Sequence, residues 1–245
     1  ATDTSLQENL TLIEEGINTS DVFALDGVDD RIVVPYTSSL HLEDLLTIET
    51  EFVPRAEFGM QTIVSQEDVF KLGWNAADET VYYALNTNRD NYQDLQDTWI
   101  STGLVVKNGD LGQVALTFDA EANTIFVKEM QSGEYYNTPS AGYLESHDND
   151  VIIGSYGGTS NEFFEGNIRF VRMWNSALDE AYFFTASSNN ATGIIGHWEA
   201  DAVDGAYVRD ASSMENDGAI GAVPTQVSLK SLPMPDYLNT GTALK

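Results

Sequence analysis

The stretch FALDGVDDRIVVPYTSSLHLEDLLTIETEFVP, residues 23–54, decides how the rest of the chain is read. It holds two β-branched runs, RIVVP and LTIETEFVP, joined by a Ser-rich loop and preceded by an acidic turn built on Gly27. Successive strand side chains point to opposite faces. In the second run Ile48, Thr50 and Phe52 therefore share one face, and Glu49, Glu51 and Val53 the other. Period-two alternation bounded by turn residues is the mark of antiparallel β structure.

The same texture extends outward through TVYYALNT (80–87), GQVALTFDAEANTIFVKEM (112–130), DVIIGSYGG (150–158), NIRFVRMWN (167–175) and IIGHWEAD (194–201). VALTF and TIFVKEM, linked by DAEAN, read as a hairpin. Two short helices are predicted. One joins a Ser5–Glu8 capping box to an apolar stripe of Leu6, Leu10 and Ile13 and stops at Gly16; the other lies in SALDEAYFFTAS (176–187). Repeats, heptads and linkers are not seen. The predicted organisation is an N-terminal helical segment (1–20), one β-sandwich (21–222) and an extended C-terminal tail (223–245).

The chain has 245 residues, with 39 acidic against 11 basic, a formal charge of −28 and no cysteine. That size buries a core without disulfide staples. The charge repels nucleic-acid phosphates and anionic lipid, so neither is an expected partner, and it points to a saline or marine setting rich in screening ions. No run approaches the ~18 apolar residues needed to cross a bilayer as a helix. The start at Ala1 fits a mature end after signal removal or a cytosolic start after loss of Met.

Residues 23–54 resemble the opening strands of laminin-G-like, concanavalin A-like jelly rolls. QVALTFDAEANTIFVKEM is similar to the central hairpin of that superfamily. DVIIGSYGGTSNEFFEGNIRFVRMWNSALDEAYF and IIGHWEADAVDGAYVRDASSMENDGAIG are similar to its closing segments, so the resemblance spans roughly 23–222. It implies an all-β fold, a sandwich of two curved antiparallel sheets. It also implies carbohydrate or adhesion chemistry and, in many members, calcium held in carboxylate-rich loops. The chain departs from the pattern at Arg169, where an Asp is usual, and at Gly112 and Gln113, where Trp-His is usual.

Glucanases of related architecture carry E-x-D-x-E on one strand, whose i, i+2 and i+4 carboxylates line the substrate cleft. Here Glu199 and Asp201 are followed by Val203. Neither G-x-S-x-G nor H-E-x-x-H occurs, and His41, His147 and His197 are far apart in sequence. A non-enzyme is expected.

For binding, LNTNRDNYQDLQDTW (85–99) offers Asn88, Arg89, Asp90, Asn91, Tyr92 and Trp99, a polar loop with aromatic rings of the kind that stack on sugars. Tyr135, Tyr136 and Asn137 form a second set. Both sets also read as ordinary turns with aromatics on the sandwich rim, and Trp174 and Trp198 read as core. For calcium, Asp148, Asn149 and Asp150 form the first candidate ligand set and Asp26, Asp29 and Asp30 the second, since that ion prefers hard oxygen donors.

These features support a glycan-binding or adhesion module on a cell surface or extracellular assembly. The alternative is a structural or decoration protein of a virion; a divergent glycoside hydrolase is a distant third. In the assembly reading, the N-terminal helix and the tail pack on the sandwich or on a neighbouring subunit, and the helix supports oligomerisation.

Overall fold

The computed structural model describes residues 18–87, 95, 98–140, 142–157, 162–185, 192–204, 206–221 and 228–234. The described residues form sixteen strands, all paired antiparallel, that run as one ribbon in the order β10 (Tyr135–Pro139), β9 (Thr124–Glu129), β8 (Gly112–Asp119), β3 (Leu45–Pro54), β12 (Glu165–Trp174), β13 (Ile194–Asp204), β14 (Tyr207–Asp210), β15 (Gly218–Ile220), β2 (Ile32–Val34), β11 (Val151–Ile153), β4 (Met60–Gln66), β5 (Phe70–Asn75), β6 (Thr80–Leu85) and β7 (Ile100–Val105), with β1 (Asn18–Asp26) beside β12 and β16 (Ser228–Met234) beside β1. The ends of the ribbon return to each other, β7 lying against β9 and β10, and this folds it into two layers.

The first layer is built on β3 (Leu45–Pro54), β8 (Gly112–Asp119), β9 (Thr124–Glu129), β10 (Tyr135–Pro139), β12 (Glu165–Trp174) and β13 (Ile194–Asp204). The second comprises β2 (Ile32–Val34), β11 (Val151–Ile153), β4 (Met60–Gln66), β5 (Phe70–Asn75), β6 (Thr80–Leu85) and β7 (Ile100–Val105). The short β14 (Tyr207–Asp210) and β15 (Gly218–Ile220) bridge them at one edge.

One core fills the space between the layers. Leu46, Ile48 and Phe52 of β3 meet Phe70, Leu72 and Trp74 of β5, joined by Val114, Leu116 and Phe118 of β8 and by Trp198. The alternation predicted for β3 is present, yet its other face is also closed to solvent: Glu49 and Glu51 are as buried as the core. The β8–β9 hairpin forms with Asp119 opposite Thr124.

The helix expected in 176–187 does not form. The described part contains a single 3-10 turn, Glu180–Tyr182, capped by Asp179. The sheet competes for the backbone groups a helix would use. Leu178 N–H donates to Thr47 Oγ1 (3.0 Å), Phe184 N–H to Glu49 Oε1 (2.9 Å), and Thr47 Oγ1 donates to the Ser176 carbonyl (2.6 Å). Phe184 also takes a left-handed φ of 56°, which ends any helical run. This segment lies flat on the first layer and buries Glu49.

The helix expected over 5–16 lies outside the described residues. From Asn18 the chain is already strand: β1 (Asn18–Asp26) pairs with β12 and with β16 (Ser228–Met234). The extended tail is thus, over β16, an added edge strand, where Pro233 opposite Thr19 is tolerated. No helix among the described residues is long and apolar enough to cross a membrane.

Candidate functional site

On β5, Phe70, Leu72 and Trp74 point into the core, so Lys71 and Gly73 must point outward. Lys71 is nevertheless completely buried. Its ammonium lies 4.1 Å from the Trp99 ring centroid and 4.4 Å from that of Tyr156, with Glu162 Oε2 at 3.4 Å. Glu162 holds the cover together, accepting from Trp99 Nε1 (2.9 Å) and from Thr62 Oγ1 (3.0 Å). Tyr156 donates its hydroxyl to Asp68 Oδ1 (3.2 Å) and packs with Ala84 and Leu95.

Gly73 supplies the remaining element. A Cβ there would stand 2.6 Å from Trp99 Cη2, so only glycine lets the indole settle onto the sheet. The half-buried ring is therefore held by a cation, a hydrogen bond and a glycine seat. An aromatic so fixed loses little conformational entropy when a ligand stacks on it.

Of the predicted binding residues, Trp99 belongs to this cluster, whereas Asn88, Arg89, Asp90, Asn91 and Tyr92 lie outside the described residues. In the second set, Tyr135 is exposed and stacks on Phe126 at 5.5 Å, and Asn137 is exposed beside it. Tyr136 turns inward against Tyr83 at 5.9 Å, so only half of that set faces solvent.

The residues of the first calcium set are used separately. Asp150 Oδ1 accepts from Tyr36 N–H (2.8 Å), and the Asn149 amide donates to the Glu67 carbonyl (2.9 Å). A hydrogen bond to Asp148 raises the Tyr36 hydroxyl pKa. Asp26, Asp29 and Asp30 behave differently: each offers a carboxylate oxygen within 4.8 Å of the others.

A third cluster lies on the outer face of the first layer, beneath residues 176–185. Arg172 reaches Glu199 Oε1 (3.1 Å), Glu49 Oε2 (3.5 Å) and His197 Nε2 (3.0 Å), with its guanidinium 4.1 Å from the Phe170 ring centroid. His197 Nε2 is also 2.7 Å from Glu199 Oε1, so this one of its two ring nitrogens accepts from Arg172 or donates to Glu199 according to tautomer. The His197 hydrogen bond, with Arg172 adding to it, outweighs burial and holds the Glu199 carboxyl down at about 2. Burial pushes Glu51 up despite Gln113 and Arg169, whose Nη1 is 3.4 Å from Glu51 Oε1. Glu199 is thus clamped as a carboxylate and Asp201 is exposed, with Val203 in the third place.

The sequence reading missed Lys71, Tyr156 and Glu162. A lysine in an alternating strand is ordinarily a solvent-facing residue, and its partners come from positions 85 and 91 residues away. The one local signal was the K-x-G spacing beside Trp74, since Gly in a strand interior marks close approach by another group.

Residues 26–182 match the sequence profile of the concanavalin A-like lectin/glucanases superfamily. No curated protein matches the chain. Among solved structures, a Bacteroides ovatus protein provisionally assigned as carbohydrate-binding superposes with a TM-score of 0.65 at 17% identity, over 89% of this chain and 62% of its own. The chain therefore spans under two thirds of that protein's length. The CBM40 domain of the Ruminococcus gnavus IT-sialidase superposes with a TM-score of 0.51 at 15% identity, over 67% of this chain and 95% of the domain.

Proposed function

We propose that this chain, which belongs to the concanavalin A-like lectin/glucanase superfamily, is a non-catalytic glycan-binding module working outside the cell. The observation that carries this reading is the seating of Trp99. It is an indole locked onto a sheet face by Lys71, Gly73 and Glu162, at the end of the polar sequence stretch 85–99. The carbohydrate-binding descriptions of the two similar structures support it at a coarse level. A catalytic role is disfavoured by chemistry: Glu199 is tied to Arg172 and His197, and no second carboxylate follows Asp201 at the spacing a cleft requires.

The charge narrows the ligand. With a formal charge of −28 and the Lys71 ammonium sealed and paired, the module suits neutral rather than anionic glycans. The test is a glycan array followed by calorimetry with Trp99→Ala and, as a comparison, Tyr135→Ala. Saturable binding of a neutral glycan, lost in Trp99→Ala and retained in Tyr135→Ala, is the expected result. Blank arrays, or binding indifferent to Trp99, would refute it.

A further inference from the structure

Across the sheet from the seat of Trp99 stands a second pair of groups. Gly73 of β5 is directly opposite Tyr82 of β6, and Tyr82 is in turn opposite Ser101 of β7. Val81 and Tyr83 belong to the core, so alternation turns Tyr82 to the outer face that carries Lys71, Gly73 and Trp99. The indole edge lies over Gly73, where a Cβ would meet Trp99 Cη2 and Cζ3 at 2.6 and 3.0 Å. Opposed residues on antiparallel neighbours stand about 5 Å apart, so Tyr82 adjoins that seat on the same face.

Tyr82 is half-buried, and its hydroxyl is fixed. It donates to Asp78 Oδ2 (2.7 Å), while Asp78 Oδ1 accepts from Thr80 N–H (3.3 Å). Burial opposes ionisation of Asp78, but the hydrogen bonds from Thr80 and Tyr82 outweigh it and hold the carboxyl below its usual range. Neither bond exhausts its acceptor. An ionised carboxylate has about four lone-pair sites, and a phenol oxygen that donates its proton still accepts. Asp78 is exposed, so a ligand can reach it. Two acceptor oxygens held 2.7 Å apart match the hydroxyls on adjacent carbons of a pyranose ring.

Given the glycan-binding reading of Trp99, on which this depends, we propose that Tyr82 and Asp78 are the hydroxyl-reading half of the same platform. Together they select neutral glycans whose stacked residue presents two adjacent free hydroxyls, as 1,4-linked hexoses do. An interior 1,3-linked residue has no such pair. The pre-set phenol and carboxylate lose little freedom on binding, as does the seated indole. The charge of Asp78 also turns away an anionic sugar.

The test measures binding of the full chain to four soluble polysaccharides: amylose, glucomannan and galactan, all 1,4-linked, and a linear 1,3-glucan. The expected result is binding to at least one 1,4-linked polymer, with the 1,3-glucan much weaker. Tyr82→Phe and Asp78→Asn should each weaken the 1,4-linked polymer about tenfold or more and erase the linkage preference. Trp99→Ala should abolish binding to every polymer. Should either variant melt lower, the linkage preference decides, because it is a ratio that partial unfolding leaves unchanged. Variants of Tyr82 and Asp78 that keep both affinity and preference overturn this proposal, while silence of Trp99→Ala would leave the Trp99 reading standing. No linkage preference in the unaltered chain also overturns it. Binding indifferent to Trp99, or no binding to any of the four, overturns both.

Discussion

The ammonium of Lys71 lies 4.1 Å from the centroid of the Trp99 ring, and the lysine has no exposed surface. A buried cation persists only with compensation, which here comes from two rings and Glu162. Lys71→Met keeps the apolar stem but leaves Glu162 without its ion-pair partner. A destabilisation of about 3 kcal/mol is expected, as for breaking a buried pair, measured by denaturant unfolding. A loss near zero would mean that the pair does not hold the cover.

Gly73→Ala tests the seat. The added Cβ meets Trp99 and the Gln61 carbonyl, and the backbone oxygen has little room to yield. The expected cost is about 1–3 kcal/mol, typical of overpacking, with the indole displaced. Trp74, Trp174 and Trp198 are fully buried, so Trp99 dominates quenchable fluorescence. Acrylamide quenching should rise in Gly73→Ala, and glycan affinity should fall with it.

Arg172 joins Glu49 to Glu199 and lies against Phe170, which packs on Phe184 at 5.9 Å. Arg172→Met removes the cation shared by Glu199, which keeps its hydrogen bond to His197, and the buried Glu49, which anchors the Phe184 N–H. A loss of about 3–5 kcal/mol is expected, with faster proteolytic cleavage within residues 176–185. Unchanged cleavage would show that the segment is held by its aromatic contacts alone.

Acid stability follows from Glu199. Its carboxyl is held at about 2, below its ordinary 4.5, so the folded state binds its proton less readily than the unfolded chain. The resulting stability is present above about 4.5 and is lost as pH falls towards 2. Glu51 has the opposite sign: its raised pKa favours the folded state at low pH and costs stability as pH rises through its folded value. Glu199→Gln should flatten the acid limb of a stability-versus-pH curve, whereas Glu51→Gln should steepen it. An unaltered acid limb in Glu199→Gln would remove Glu199 from this account.

Strand periodicity and turn residues are local properties, and they made the sandwich legible before any coordinates. The β3 alternation and the β8–β9 hairpin follow from spacing and apolar content, and the burial of Trp174 and Trp198 from their place on strands that resemble the family's. The 176–187 segment shows where local pattern fails. Its helical spacing is real, but Thr47 and Glu49, far away in sequence, claim its backbone groups.

The site divides in the same way. Trp99 could be singled out as an aromatic in a polar loop, because that is a matter of composition. That it rests on Lys71 and that Glu162 ties both to the sheet required the folded chain. An alternating strand declares which residues share a face. What covers that face depends on loops brought from distant parts of the chain, and burial of charge is decided only when they arrive.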